Sequence, residues 1–250
     1  MKKLIISLFL LSSVIAFCQK GYQGKVTYLY KEIVNVDEFA KEQKISLMQA
    51  KQLIEKNKQF LEKKFTLLFD RNTSTYKQNE ALAGPSLSNK NYSPTSNNVL
   101  YKNILEKESL ESNEYMGKRF LVYEDLKNPN WQLTNETRKI GDYTVYKATR
   151  MTKLRKNDAK YTEVTAWYSP QIPVSNGPSR YWGLPGLILQ VNYDNYMIVC
   201  IEIAISNSKN SAIKRPKKGE KIKREDFEIL RKKKFQEYME RNRRNKSRGD

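Results

Sequence analysis

Six acidic side chains in the middle of the chain have the chemistry that acid–base catalysis requires. A glycoside hydrolase needs two carboxyl groups across a cleft, one to donate a proton and one to act as base or nucleophile. No spacing in the sequence marks any two of the six as partners. We therefore interpret them as solvated residues of turns and sheet faces, with a carboxylate-based hydrolase as the alternative. The six are Glu124, Asp125, Glu136, Asp142, Glu163 and Asp194.

The chain contains no histidine. This excludes the Ser-His-Asp and Cys-His arrangements of nucleophilic enzymes, and also zinc or copper sites with imidazole ligands. The sequence has no Gly-rich phosphate-binding loop, and it lacks the dense Asp and Asn alternation of calcium loops. We therefore expect a protein without catalytic activity, and with no cofactor and no metal ion.

The N-terminal residues 1–18 have the anatomy of a secretory signal peptide. Two lysines near the start precede an apolar run at residues 4–17, and a cleavage site lies between Cys18 and Gln19. We expect an exported protein of the periplasm or the outer membrane. Cys18 also suggests a lipoprotein, but that processing requires a small residue before the cysteine. Because Phe17 stands there, we favour ordinary cleavage.

Cys200 is the only cysteine that remains after removal of residues 1–18. A single thiol cannot form an internal disulfide bond, although the compartment is oxidising. The residues around it, 196–201, form an apolar run that is typical of a buried strand. We therefore expect an inert core thiol rather than a reactive one.

Strand-like segments dominate the chain. Tyr, Val and Thr residues predict a strand at 22–33, and short strands separated by turn signals recur through residues 99–206. Apolar residues at helical spacing predict one long inserted helix at 37–64. Residues 81–98 have the composition of a flexible loop. We predict one mainly β (α+β) domain at 19–208, with an antiparallel curved sheet or partial barrel.

The C-terminal region carries much of the positive charge. The formal net charge is +19, and residues 209–250 hold 17 Lys and Arg against 7 Asp and Glu, a difference of +10. We predict a basic linker and then a basic helix that starts near residue 224. Such a tail fits an anionic membrane surface, an acidic partner or a solvated helix, whereas export argues against nucleic acid.

The most distinctive segment is residues 167–192, where prolines and glycines shape a loop between two strands. Proline cannot donate to a sheet ladder, and glycine permits left-handed or closely packed backbone. The segment is either a scaffold corner that sets strand register or a binding edge rimmed by aromatic rings. The candidate edge comprises Trp167, Tyr168, Tyr181, Trp182, Gly183, Leu184, Pro185, Gly186, Leu187 and Ile188.

This segment resembles the GLPGLI family of exported proteins from Gram-negative bacteria, named for the hexapeptide found here at residues 183–188. The resemblance covers roughly residues 131–192. The helix at 37–64 and a basic insert at 153–160 look like additions peculiar to this chain. The other matching motifs are Trp131-Gln132-Leu133-Thr134, Ile140-Gly141-Asp142-Tyr143, Lys147-Ala148-Thr149, Ala166-Trp167-Tyr168-Ser169-Pro170, Ile172-Pro173 and Gly177-Pro178.

The resemblance implies export and a fold, because the family has no established molecular activity. Its pattern is similar to curved-sheet carriers of the LolA-like type, in which a half-barrel shelters an apolar ligand. We therefore expect a non-catalytic envelope protein that binds a peptide, a lipid or an outer-membrane partner along its sheet. The alternatives are the carboxylate-based hydrolase and a basic protein that binds acidic lipid or glycan through residues 209–250.

Overall fold

The computed structural model describes residues 22–79, 98–154, 157–206 and 213–246. The expected signal peptide and nearly all of the expected loop at 81–98 lie outside these residues. Strands dominate the described chain, as the sequence predicts. They are β1 Gln23–Glu32, β2 Glu62–Phe69, β3 Thr73–Gln78, β4 Val99–Asn103, β5 Glu108–Tyr115, β6 Lys118–Asp125, β7 Gln132–Ile140, β8 Tyr143–Leu154, β9 Asn157–Ser169, β10 Leu187–Tyr193, β11 Tyr196–Ser206 and β12 Glu220–Lys223.

All twelve strands belong to one sheet with the order β12-β6-β5-β4-β3-β2-β1-β11-β10-β9-β8-β7. Neighbouring strands are antiparallel except for β12, which pairs with β6 in parallel. The sheet therefore consists of two meanders, β1 to β6 and β7 to β11, which the pairing of β1 with β11 joins. Consecutive strands of each meander lie side by side, although residues 33–61 separate β1 from β2 and residues 170–186 separate β9 from β10.

The sheet is strongly curved. β6 and β7 are ten strand spacings apart in the sheet order, which is about 48 Å in a flat sheet at about 4.8 Å per spacing. Only residues 126–131 connect them. Because a chain advances at most about 3.6 Å per residue, this connection reaches about 25 Å. The two meanders must therefore fold towards each other, and their inner residues share one hydrophobic core.

The two faces of the sheet differ in their packing. Val26 and Tyr28 of β1 are fully buried on the face that carries the main core, which we call the inner face. Adjacent residues of a strand point to opposite faces. Leu100 of β4 belongs to the main core on the inner face. Its neighbour Tyr101 packs with Leu110 in a smaller cluster on the other, outer face.

The single helix predicted at 37–64 is wrong. The structure has three helices here: α1 (Val36–Gln43), α2 (Leu47–Lys56) and the single turn α3 (Lys58–Leu61), after which β2 begins. α1 ends because Lys44 adopts a left-handed backbone with φ 55°. Ser46 caps the start of α2 and forms a reciprocal capping box with Gln49. The helical spacing of apolar residues continues across this break and by itself does not reveal it.

The basic tail packs against the sheet and adds one strand to it. The C-terminal helix, α4 (Arg224–Lys246), confirms the predicted basic helix. Residues 213–218, which we call the strap, are anchored on the outer face by Ile213, and β12 then extends the sheet edge. Phe227 of α4 is completely buried against Phe120 on the inner face. Among the described residues, no helix is both long and apolar enough to cross a membrane.

The strap crosses the sheet edge at Gly219. This residue has φ +126°, and a Cβ added there would lie 2.7 Å from the carbonyl carbon of Phe120. Only glycine permits so close an approach to another backbone. The crossing brings the tail from the outer face, through β12, to the inner face. The tail therefore contacts β6 on the outer face, along its edge and on the inner face.

Candidate functional site

The loop between β9 and β10, residues 170–186, fills the interior of the curved sheet. We call it the signature loop. Ile172, Val174 and Leu184 of this loop are each at most 2% exposed and belong to the main core. Buried loops are rare because their backbone polar groups lose water, so each such group needs a partner inside the protein.

Inner-face side chains supply many of these partners. The fully buried Lys102 of β4 donates to three loop carbonyl oxygens, those of Gly177 at 2.9 Å, Ser179 at 2.9 Å and Tyr181 at 3.1 Å. Tyr28 donates to the carbonyl oxygen of Ile188 at 2.6 Å, at the start of β10. These contacts hold the loop in place, and they leave the interior of the sheet occupied by the protein itself.

The candidate binding edge is mostly part of the core. Trp167 is half-buried and packs against the main core, and the Arg138 guanidinium lies 4.0 Å from its ring centroid. Trp182 and Gly183 are half-buried, and the Trp182 carbonyl oxygen accepts from the Trp131 indole at 2.8 Å. Pro185 alone among the ten is exposed. The buried members are Tyr168, Tyr181, Leu184, Gly186, Leu187 and Ile188.

The six candidate acids are dispersed over the molecule. Five are exposed, and of these Glu136 pairs with Lys147 at 2.8 Å and Asp194 occupies a turn with φ 50°. Glu124 is half-buried, 3.9 Å from Arg180 and 3.7 Å from Arg224. Within the described residues, no group of three acidic or cysteine side chains could hold a metal ion.

Glu111 is a half-buried acid, its side chain 15% exposed, that the sequence did not single out. It lies on the inner face of β5 and accepts from Arg180 of the signature loop and from Arg224 of α4, each at 2.6 Å. Burial alone would raise the pKa of Glu111, but the two guanidinium groups lower it to about 2. Glu111 therefore stays ionised at neutral pH, which suits a structural ion pair and not a proton donor.

A groove of about 660 Å³ lies on the outer face, between the strands and the strap. We call it the basic groove. Among the described residues its lining contains seven cationic side chains and no acidic one, together with the apolar Leu68, Val99 and Pro216. They come from three strands and from the strap, so folding gathers charges that are far apart in the sequence. The seven are Lys25, Lys77, Arg119, Lys214, Arg215, Lys217 and Lys218.

Most of these cations have no counter-charge in the part of the chain that the structure describes. Arg215 is paired with Glu108, its Nε lying 3.1 Å from Oε2, and Arg119 lies 3.6 Å from Glu114. The five lysines form no ion pair with any residue of the described chain. An uncompensated group of ammonium ions in a concave surface raises the local concentration of anions. The groove is therefore suited to binding an anionic group.

The sequence contained part of the signal for this groove. The dense basic run at 214–218 was visible, but it was interpreted as a linker. The sequence gives no local sign that Lys25 and Lys77 lie close together, because β1 and β3 become near neighbours only through the sheet order, in which β2 alone separates them. Their joint placement depends on sheet order, which is a property of long-range pairing.

Comparison with known proteins gives a fold and a partial family match. A family model described as a protein of unknown function (Porph_ging) matches residues 152–190, which include the signature loop. Two solved structures of PNGF-II, in space groups C2 and P21, are similar with TM-scores of 0.53 and 0.51 and identities of 13% and 15%. The matches cover 84% and 83% of this chain.

The chain spans only 32% of each PNGF-II chain, so the likeness concerns part of those proteins. At such low identity the likeness shows the fold alone: a mainly β architecture. No curated protein matches the chain. The family match is consistent with the GLPGLI resemblance and covers the segment that carries the hexapeptide.

Proposed function

We propose that this chain is an exported, non-catalytic protein of the cell envelope that binds an anionic ligand in the basic groove. One observation carries this proposal: of the described residues, seven cationic side chains and no acidic one line a groove of about 660 Å³. Like charges held together repel each other unless a counter-ion is present. Their grouping on a single surface is therefore best explained by a ligand that supplies the negative charge.

The packing of the interior supports a ligand on the outside. A carrier that shelters an apolar molecule needs an empty cavity beneath the curved sheet. Here the signature loop occupies that space, and Lys102 and Tyr28 fix it by hydrogen bonds. The groove lies on the opposite face, where neither the loop nor the main core blocks access.

The proposal is tested with inorganic polyphosphate as a generic anionic probe. We expect binding that weakens steeply with added salt, because exposed charges are screened beyond about 10 Å at about 0.1 M salt. The variant Lys77→Glu/Lys217→Glu reverses two groove charges. We expect it to lose most of the binding.

The matched control is Lys51→Glu/Lys139→Glu, which makes the same change of net charge at exposed residues of α2 and β7. We expect the control to bind as the unmodified protein does, apart from a small effect of net charge. Equal loss in both variants would mean that overall charge, and not the groove, attracts the probe. Binding that ignores salt would also contradict the proposal.

A further inference from the structure

The shape and lining of the basic groove indicate what kind of anion it binds. Resting on the anion-binding function above, we propose that the ligand is an extended acidic segment of a partner polypeptide. The segment lies across the strands, between the outer face and the strap. Charge complementarity, groove length, the absence of aromatic rings and the arrangement of the lysines each support this occupant.

The groove is long enough for an extended peptide. Its lining extends from Lys25 on β1 to Arg119 on β6, and these strands are five spacings apart in the sheet. At about 4.8 Å per spacing this distance is about 24 Å. An extended chain advances about 3.3 Å per residue, so about seven residues fit along the groove. A single small anion would use only a fraction of this length.

The chemistry of the lining excludes ligands that bind by stacking. Among residues 22–79, 98–154, 157–206 and 213–246, no Phe, Tyr or Trp side chain lines the groove. Single-stranded nucleic acids derive much of their affinity from bases stacked on aromatic rings, and sugar rings likewise pack on aromatic faces. The floor instead offers the hydroxyl groups of Thr75 and Ser112, whereas the Thr66 hydroxyl already donates to Asn79 at 2.7 Å. Hydroxyl groups can donate to carboxylate oxygens and to peptide carbonyl oxygens.

The lysines lie on two sides of the groove. Lys25 and Lys77 belong to the sheet, whereas Lys214, Lys217 and Lys218 belong to the strap. Successive side chains of an extended peptide point in opposite directions. Its alternate carboxylates can therefore meet ammonium groups of the sheet on one side and of the strap on the other. The headgroups of a lipid bilayer form one flat layer and cannot enter between the two.

The test uses fluorescein-labelled oligo-glutamate peptides and measures fluorescence anisotropy with the purified protein. We expect octa-glutamate to bind and octa-glutamine not to bind. Affinity should rise with peptide length to about seven residues and then level off, because longer peptides leave the groove. Lys77→Glu/Lys217→Glu should weaken octa-glutamate binding about tenfold or more, since two attractions become repulsions. Lys51→Glu/Lys139→Glu should leave it nearly unchanged.

Other outcomes separate this inference from the function on which it rests. If polyphosphate or phosphatidylglycerol vesicles bind in a groove-dependent way and octa-glutamate does not, the peptide is excluded while anion binding stands. If none of the anionic probes binds, both proposals fail. An affinity that keeps rising well beyond about ten residues would show diffuse attraction to the basic surface and would overturn the extended mode.

Discussion

The ammonium nitrogen of Lys102 lies 2.9 Å from the carbonyl oxygen of Gly177, in the interior of the sheet. The same nitrogen also donates to the carbonyl oxygens of Ser179 and Tyr181, so each of its three hydrogens has an acceptor. Burial lowers the pKa of Lys102 to about 7. The three carbonyl dipoles act in the opposite direction, because they favour the charged form. A side chain of β4 thereby fixes a loop about seventy-five residues away.

Replacement of Lys102 by methionine should destabilise the protein. Methionine fills similar volume but leaves three buried carbonyl oxygens without their donor. We expect the free energy of unfolding to fall by roughly 2–4 kcal/mol, because each buried unpaired polar group costs about 1–3 kcal/mol and the loop can relax in part. Urea denaturation followed by tryptophan fluorescence measures the change.

Lys77→Met is the matched control, since Lys77 belongs to the neighbouring strand β3 but is exposed on the outer face. A surface substitution of this kind changes stability by about 0.5 kcal/mol or less. If Lys102→Met proved as stable as this control, the hydrogen bonds to the loop would not be important for the fold.

Much of the fold was predictable because strand patterns are local. The run of Ile and Val residues at 196–206 predicts a strand, and β11 spans Tyr196–Ser206. The basic helix near residue 224 was predicted from an apolar stripe among charged residues, and α4 begins at Arg224. Both patterns are complete within a few turns of chain, so no knowledge of partners is needed.

The interior contacts were not predictable in the same way. Lys102 looks like any strand lysine, and Lys is almost never fully buried unless it is paired. Its acceptors, and those of Glu111 and Arg180, are fixed only when β4, β5 and the signature loop come together. Sequence periodicity assigns faces to a strand, but it does not say which distant segment will cover that face. The break between α1 and α2, by contrast, has a local sign in the sequence, since Ser46 and Gln49 form a capping-box pattern.

Gly186 should tolerate no side chain. A Cβ added at this residue would lie 2.3 Å from the carbonyl oxygen of Ser169, at the end of β9. We expect Gly186→Ala to lower the free energy of unfolding by about 3 kcal/mol or more, because two backbones must separate within the core. Thermal unfolding followed by circular dichroism measures the loss.

Gly141→Ala provides a control for backbone strain without a clash. Gly141 has φ +56° in the turn between β7 and β8, and an added Cβ would meet no atom within 4 Å. The left-handed backbone alone costs alanine about 1–2 kcal/mol. If both variants lost the same stability, the close approach of Gly186 to Ser169 would contribute nothing.

Cys200 should react slowly with alkylating reagents. Burial raises the pKa of this thiol to about 11, from an ordinary value of 9.0. At about pH 8 this leaves about a hundredth of the thiolate of an ordinary cysteine, and the thiolate is the reactive form. We expect iodoacetamide to label the folded protein at least about tenfold more slowly than the urea-unfolded protein, as followed by mass spectrometry. Equal rates would show an accessible, reactive thiol.

If the chain is exported as we propose, the mature protein should begin at Gln19. If residues 1–18 are removed as a signal peptide, the intact mass of protein isolated from the cell envelope corresponds to a chain that starts there. Complete alkylation in urea should then add a single label, at Cys200, because Cys18 leaves with the signal peptide. Two labels and a full-length mass would contradict export by this route. A mass increase typical of attached acyl chains would show a lipoprotein instead.

The ion pairs of Glu111 should make stability depend on pH in the acid range. The pKa of Glu111 is lowered in the folded state to about 2, from an ordinary value of 4.5. Its contribution is therefore fully present above about pH 4.5 and is lost as the pH falls through about 2. The difference between the two values corresponds to about 3 kcal/mol.

Glu111→Gln removes the charge that Arg180 and Arg224 share, so it should weaken the contact of α4 with the signature loop. We expect the variant to be less stable than the unmodified protein by about 3 kcal/mol at about pH 7. The difference in stability between the two proteins should narrow at about pH 3, because Glu111 of the unfolded chain is protonated there while the folded protein still keeps it largely ionised. Urea denaturation at both pH values measures it. Glu136→Gln, which removes an exposed pair with Lys147, should change stability by less than about 1 kcal/mol at either pH. A gap for Glu111→Gln that stays constant from about pH 7 to about pH 2 would show that its charge does not hold α4 in place.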